Sequence, residues 1–176
     1  MKKYLLSLLS LFIACIAVAQ PSSIVLSEKV KITFPGPIDS SSSFSQMGAK
    51  VYSYSVKDSS LNYSALSMDL SPMGLQAEMV SSMGDAIWDQ IKTGMLQQMG
   101  NVDLKKDEII QFKGKSCLKL ELDISKLVSD ELKGKTIYNI SFFSGSVLHQ
   151  LSLMVKTTDN KQKEADEFFN TLVIEK

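Results

Sequence analysis

The chain has 176 residues, with 19 basic and 19 acidic side chains and a formal net charge of zero. Every basic residue is a lysine, so the planar fork that grips phosphate and guanine edges is missing, and no basic cluster replaces it. This argues against nucleic acid as a partner, and neutrality by itself selects no other partner class.

The first element is a secretion signal. Lys2 and Lys3 precede an apolar run, Tyr4 to Val18, broken only by Ser7 and Ser10 and closing on Ala17-Val18-Ala19. Charge, apolar run and small-x-small ending, in that order, are what a signal peptidase substrate requires. The run falls short of the roughly 20 residues that span a bilayer. Cleavage is expected between Ala19 and Gln20, making 1–19 a signal peptide and 20–176 a single periplasmic or secreted domain. Cys15 offers a competing address: Phe12-Ile13-Ala14-Cys15 loosely resembles a lipoprotein box, in which the cysteine is lipidated. No later apolar run is long enough to cross a membrane. Loss of the signal leaves 17 lysines against 19 acids, a net charge of −2. Cys117 then remains as the single cysteine, so no internal disulfide is available and the core must hold the fold.

Along the mature chain, Pro21 to Lys29 reads as a loose lead-in. Val30, Ile32 and Phe34 alternate with polar residues as a strand stopped by Pro35-Gly36-Pro37. Asp39 to Gln46, with four consecutive serines, reads as a flexible linker. Strands are predicted over Val51–Val56 and Leu61–Leu70. In the second, the apolar phase shifts, which implies a bulge or two covered faces. Ser71-Pro72 starts a helical region running from about Leu75 to Met99, weakened at Gly84 and Gly94, with Gly84 a candidate break. Val102–Phe112 is charged in its first half, as an edge or irregular strand would be. Leu118, Leu120, Leu122 and Ile124 alternate cleanly with charged residues. Ser125 to Gly134 is an amphipathic excursion. Thr136–Phe143 and Val147–Val155 form a hairpin about Ser144-Gly145. Asp159 or Asn160 caps a last helix through about Asn170, and Leu172–Ile174 is a short final strand. The fold class is therefore α+β: one domain, a mostly antiparallel sheet of about seven strands, a long central helix and a C-terminal helix.

Four segments in this order resemble the PsbP-like family, which has the Mog1/PsbP fold and bacterial branches of unknown function. Lys31-Ile32-Thr33-Phe34-Pro35-Gly36 is similar to its opening V-x-F-P-G-x-P. Ile109-Ile110-Gln111-Phe112-Lys113-Gly114-Lys115 is similar to its I-x-x-x-G-x-P-G strand and turn. Gly145-Ser146-Val147-Leu148-His149-Gln150-Leu151 is similar to its G-x-x-L-Y-Q-L hairpin. Glu164-Ala165-Asp166-Glu167-Phe168-Phe169-Asn170 is similar to its closing A-x-x-F-F-x-S-F. The chain departs at His149, where the family has tyrosine, and at Ser116, where it has proline. These are core and turn positions, so the resemblance carries no functional residue across. It implies a non-enzymatic binding or assembly role, with another envelope protein or a small ligand as partner.

The chemistry-bearing residues are few. His149 is the only histidine and shares strand parity with Leu151, Leu153 and Val155, which turns it toward the core. A hydrolase would need it beside a serine elbow and an orienting acid, and no G-x-S-x-G is present. Cys117 reads as a small buried apolar residue rather than a reactive thiol. Met79, Met83, Ile87, Ile91, Met95 and Met99 recur every four residues. Their thioethers suit Cu(I), the basis of an alternative reading as a metal or small-ligand carrier, whereas the spacing suits a core-facing helix. Asp85 and Asp89 lie one helical turn apart, with Trp88 between them at the edge of the apolar stripe. Asp130-Glu131 is a second acidic pair. Asn62 and Asn139 begin glycosylation sequons within strands. No metal, nucleotide or phosphate motif is present, so the expectation is no catalytic, cofactor-binding or metal-binding residue and no cofactor.

Overall fold

The computed structural model describes residues 20–46, 48–100, 102–126 and 134–175; the signal segment, Cys15 and the Asp130-Glu131 pair lie outside them. Ten strands appear in chain order: β1 (Ser22–Ser27), β2 (Val30–Phe34), β3 (Ser40–Gln46), β4 (Ala49–Asp58), β5 (Leu61–Asp69), β6 (Asp103–Phe112), β7 (Lys115–Asp123), β8 (Lys135–Ser144), β9 (Val147–Lys156) and β10 (Val173–Ile174). Helices α1 (Ala77–Met83) and α2 (Ala86–Met99) separate β5 from β6, and α3 (Gln162–Asn170) precedes β10.

Seven strands form one antiparallel sheet in the order β3-β4-β5-β9-β8-β7-β6. A small sheet, β1-β2-β10, and α3 cover one face; α1 and α2 cover the other. The α+β class and the seven-stranded sheet agree with the sequence reading. Alternation fills both interfaces. Toward the small sheet, Cys117, Tyr138, Ile140, Phe142, Leu151 and Leu153 meet Val30, Ile32, Phe34, Phe168 and Phe169. Toward the helices, Leu118, Leu120, Leu122, Ile137 and Phe143 meet Ile87 and Trp88. Each fully buried side chain of this size contributes about 1.5–3 kcal/mol of transfer free energy. β8 lies between β9 and β7 with both its faces covered, and its residues from Thr136 to Phe143 are buried without alternation.

Two local readings change, and two that were open are decided. The lead-in is a strand: β1 pairs with β2 and buries Leu26. The serine run is also a strand: β3 keeps register with β4, and hydroxyl pairs Ser40–Ser55 and Ser42–Ser53 close at 2.8 Å. Ladder bonds come from the backbone, so a serine run can serve at an edge with little apolar patterning. The phase shift in β5 reflects two covered faces, because its pairing with β4 and β9 runs without a register break. The helical region is divided: Ser71–Met73 is one 3-10 turn, and Gly84, at φ 54° and ψ −135°, ends α1 before α2 begins. Backbone in that region is open to glycine and strained for other residues.

The edge reading of the charged segment stands. β6 is the outer strand next to β7, with a register break between Leu104 and Lys106. α3 begins at Gln162 with Lys161, not Asp159 or Asn160, at its N-cap and no side-chain cap; Asn160 Oδ1 instead accepts from the Gln162 N–H at 3.3 Å in a local turn before the helix.

Candidate functional site

The Gly84 break turns α2 so that its first turn faces the start of β7. Trp88 is seated there, buried, with its ring 5.5 Å from that of Phe143. An indole in such a seat needs an acceptor for its N–H. Trp88 Nε1 donates to Ser116 Oγ at 3.2 Å, and Ser116 Oγ donates to Asp85 Oδ1 at 3.3 Å. Indole, hydroxyl and carboxylate thus form a directed chain from the core to the surface. Beside it opens a cleft of about 270 Å³ between helices and sheet, with Val80, Ile87 and Phe143 on its apolar walls and Asp85, Ser81 and Lys115 at its polar positions. The arrangement can hold an apolar group against the walls while Asp85 accepts hydrogen bonds and Lys115 donates them. The group that accepts the Ser116 hydroxyl proton is the Asp85 carboxylate, and the chain's one histidine lies elsewhere.

Trp88 thus takes the buried rim position its place in the stripe suggested. Asp85 and Asp89 do not act together: Asp85 accepts from Ser116, whereas Asp89 pairs with Lys92 at 3.3 Å. Ser116 and its neighbour Lys115 were not legible as site residues, because Ser116 reaches Trp88 and Asp85 across 28 and 31 positions of chain.

His149 lies on the other face of the sheet, fully buried and stacked on Phe142 with ring centroids 5.0 Å apart. Its Nε2 is 3.3 Å from Ser27 Oγ in β1, and its Nδ1 has no hydrogen-bond partner. Burial pushes its pKa down from 6.5 to about 4, so the ring is neutral at physiological pH. Cys117 is also fully buried, and burial pushes its thiol up to about 11. Register sets Cys117 opposite Phe142 and Phe142 opposite His149. The phenyl ring therefore stands between thiol and imidazole, which are two strands, or about 10 Å, apart. The hydroxyl beside this imidazole is Ser27 Oγ, but nothing orients the ring from Nδ1, so the third member of a catalytic arrangement is missing there.

The methionine stripe is buried unevenly along the two helices. Met83, Met95 and Met99 pack on the helix-side core, and Met95 Sδ accepts a hydrogen bond from Gln150 at 3.3 Å. Met79, one turn before Met83 on α1, is 48% exposed. Among the described residues, no three His, Cys, Asp or Glu side chains gather as a cation site. Asn139 is buried and donates to Ser152 Oγ at 2.8 Å and to the Leu151 carbonyl, which removes it as a glycan acceptor in the folded chain. No helix among the described residues is long and apolar enough to cross a membrane.

Known structures resemble the fold. Cyanobacterial PsbP (CyanoP) from Synechocystis sp. PCC 6803 superposes at a TM-score of 0.50 and 13% identity, over 91% of this chain and 95% of that one. A structure from Bacteroides thetaiotaomicron VPI-5482 matches at 0.46 and 14% identity, over 90% of this chain and 49% of that one. A Pseudomonas aeruginosa protein of unknown function matches at 0.42 and 12% identity, over 85% and 92%. No protein-family model and no curated protein matches the sequence. At these identities the likeness to PsbP is one of fold.

Proposed function

We propose that the chain is an exported, non-enzymatic binding or assembly module of the bacterial periplasm or envelope, from a bacterial branch of the PsbP-like family, and that it engages its partner at the Trp88 cleft. The cleft carries the reading: an apolar trough with an acceptor and a donor at its mouth, held by the Trp88–Ser116–Asp85 chain. The two side chains best suited to chemistry, His149 and Cys117, support it from the other face, where both are buried and Phe142 separates them. The PsbP-like fold adds weight, as does the signal-like N-terminus.

A photo-crosslinking residue at Ser81, on the cleft wall, tests this in the native host. It should give one discrete adduct that Asp85→Ala weakens, while the same probe at Ser23 on the small sheet gives none. Equal labelling from both positions, or none from either, contradicts the reading.

The space between helices and sheet also favours a second reading, a small-ligand or Cu(I) carrier. It predicts a co-purifying ligand of a few hundred daltons (the size class of such pockets), or a Cu(I)-dependent rise in melting temperature that substitution of Met79 and Met83 removes.

A further inference from the structure

The two edges of the large sheet are built differently. β6 carries exposed Lys105, Lys106, Asp107 and Glu108 and a register break, the devices that keep foreign strands off an edge. β3 has none of them. Its seven residues hold no charge and no proline, and keep unbroken register with β4. Ser41, Ser42, Ser43, Phe44 and Ser45 are all exposed, and the small hydroxymethyl side chains leave the main chain open to a new ladder. Among the described residues, no strand lies beside its outer side.

We propose that this edge joins a second copy of the same chain, β3 against β3, antiparallel about a two-fold axis at Ser43. That register sets Ser42 of each copy opposite Phe44 of the other. The two Phe44 rings then fall on one face as diagonal neighbours, about 7–8 Å apart and within reach of aromatic side chains. Each covers a ring that the single chain leaves 48% exposed. The charges agree with the direction. Exposed Asp39 precedes the strand, with exposed Lys57 and Asp58 at the adjoining end of β4 leaving one net negative charge there, and exposed Lys50 faces Ser45 near the other end. Antiparallel joining brings the acidic end of one copy beside the basic end of the other, whereas parallel joining sets like beside like.

Sedimentation of the purified chain over a concentration series, with two variants, tests the proposal. A monomer–dimer equilibrium is expected. Ser43→Lys, which places two ammonium groups face to face on the axis, should weaken it at least about tenfold without moving the monomer's melting temperature. Ser43→Cys should oxidise to a disulfide-linked dimer at least about tenfold faster than Glu108→Cys on the opposite edge, since paired strands bring Cα atoms within disulfide range. The native Cys117 is fully buried and adds no background. A monomer at every concentration to about 1 mM (an affinity near the weak end of specific association), equal oxidation of the two cysteine variants, a dimer indifferent to Ser43→Lys, or an edge occupied by a strand of a different protein would overturn it.

Discussion

His149 Nε2 and Ser27 Oγ meet at 3.3 Å across the interface between the large and small sheets. Next to this contact, Ser67, the cross-strand neighbour of His149, donates to the Leu26 carbonyl at 3.1 Å. Two polar contacts thus pin β1 onto an otherwise apolar layer, and one of them depends on an uncharged imidazole.

Protonation should therefore destabilise the fold. The folded pKa is depressed from 6.5 to about 4, so between these values the unfolded chain binds more protons than the folded one. The contribution of His149 is complete above pH 6.5, is lost as pH falls through this window, and is constant below it. The full loss is on the order of 3 kcal/mol. His149→Phe should keep the ring stack and flatten this part of the profile. Urea unfolding of both proteins between pH 4 and 7 checks it; parallel profiles would contradict it.

The chain has a single tryptophan, so fluorescence reports the cleft directly. Ser116→Ala leaves the buried Trp88 N–H without its acceptor and should cost about 1–3 kcal/mol. Trp88→Phe loses ring volume but strands no indole donor, and the double variant should cost less than the sum of the singles. Additive costs, measured by circular dichroism in urea, would show that the hydrogen bond contributes nothing.

The helix break makes opposite predictions for two glycines. Gly84→Ala should destabilise by about 1 kcal/mol or more, because φ there is 54°. Gly94 lies inside α2, with no atom near an added methyl, so Gly94→Ala should stabilise by up to about 1 kcal/mol. One continuous helix would instead make both changes stabilising. Paired melting curves separate the two cases.

Cys117 should be inert toward a thiol reagent at neutral pH, since it is buried and its thiol is pushed up to about 11. Labelling should follow global unfolding in urea. Stoichiometric reaction of the native chain within minutes would show that the interface between the sheets opens.

Much of this architecture was legible where side chains alternate or repeat. The Leu118–Leu120–Leu122 pattern marked β7, and strand parity turned His149 inward. Gly84 stood out as a helix breaker, although the i, i+4 stripe from Met79 to Met99 runs across it, because apolar spacing carries no information about φ. β1 and β3 escaped because their strand character rests on backbone pairing and hydroxyl contacts, which leave little apolar period in Ser22–Ser27 and Ser40–Gln46. The cleft was half visible: Asp85 and Trp88 drew attention on the helix, but Lys115 and Ser116 come from a distant hairpin whose positive-φ turn, Lys113-Gly114, marks only the chain reversal.

The most direct test is the native mass of the protein isolated gently from its host. The account predicts a chain from Gln20 to Lys176 carrying a bound partner, and loss of that partner in Val80→Asp, which places a charge on the cleft's apolar wall. An uncleaved or Cys15-lipidated chain would contradict the address. A partner that stays bound despite Val80→Asp would contradict the cleft.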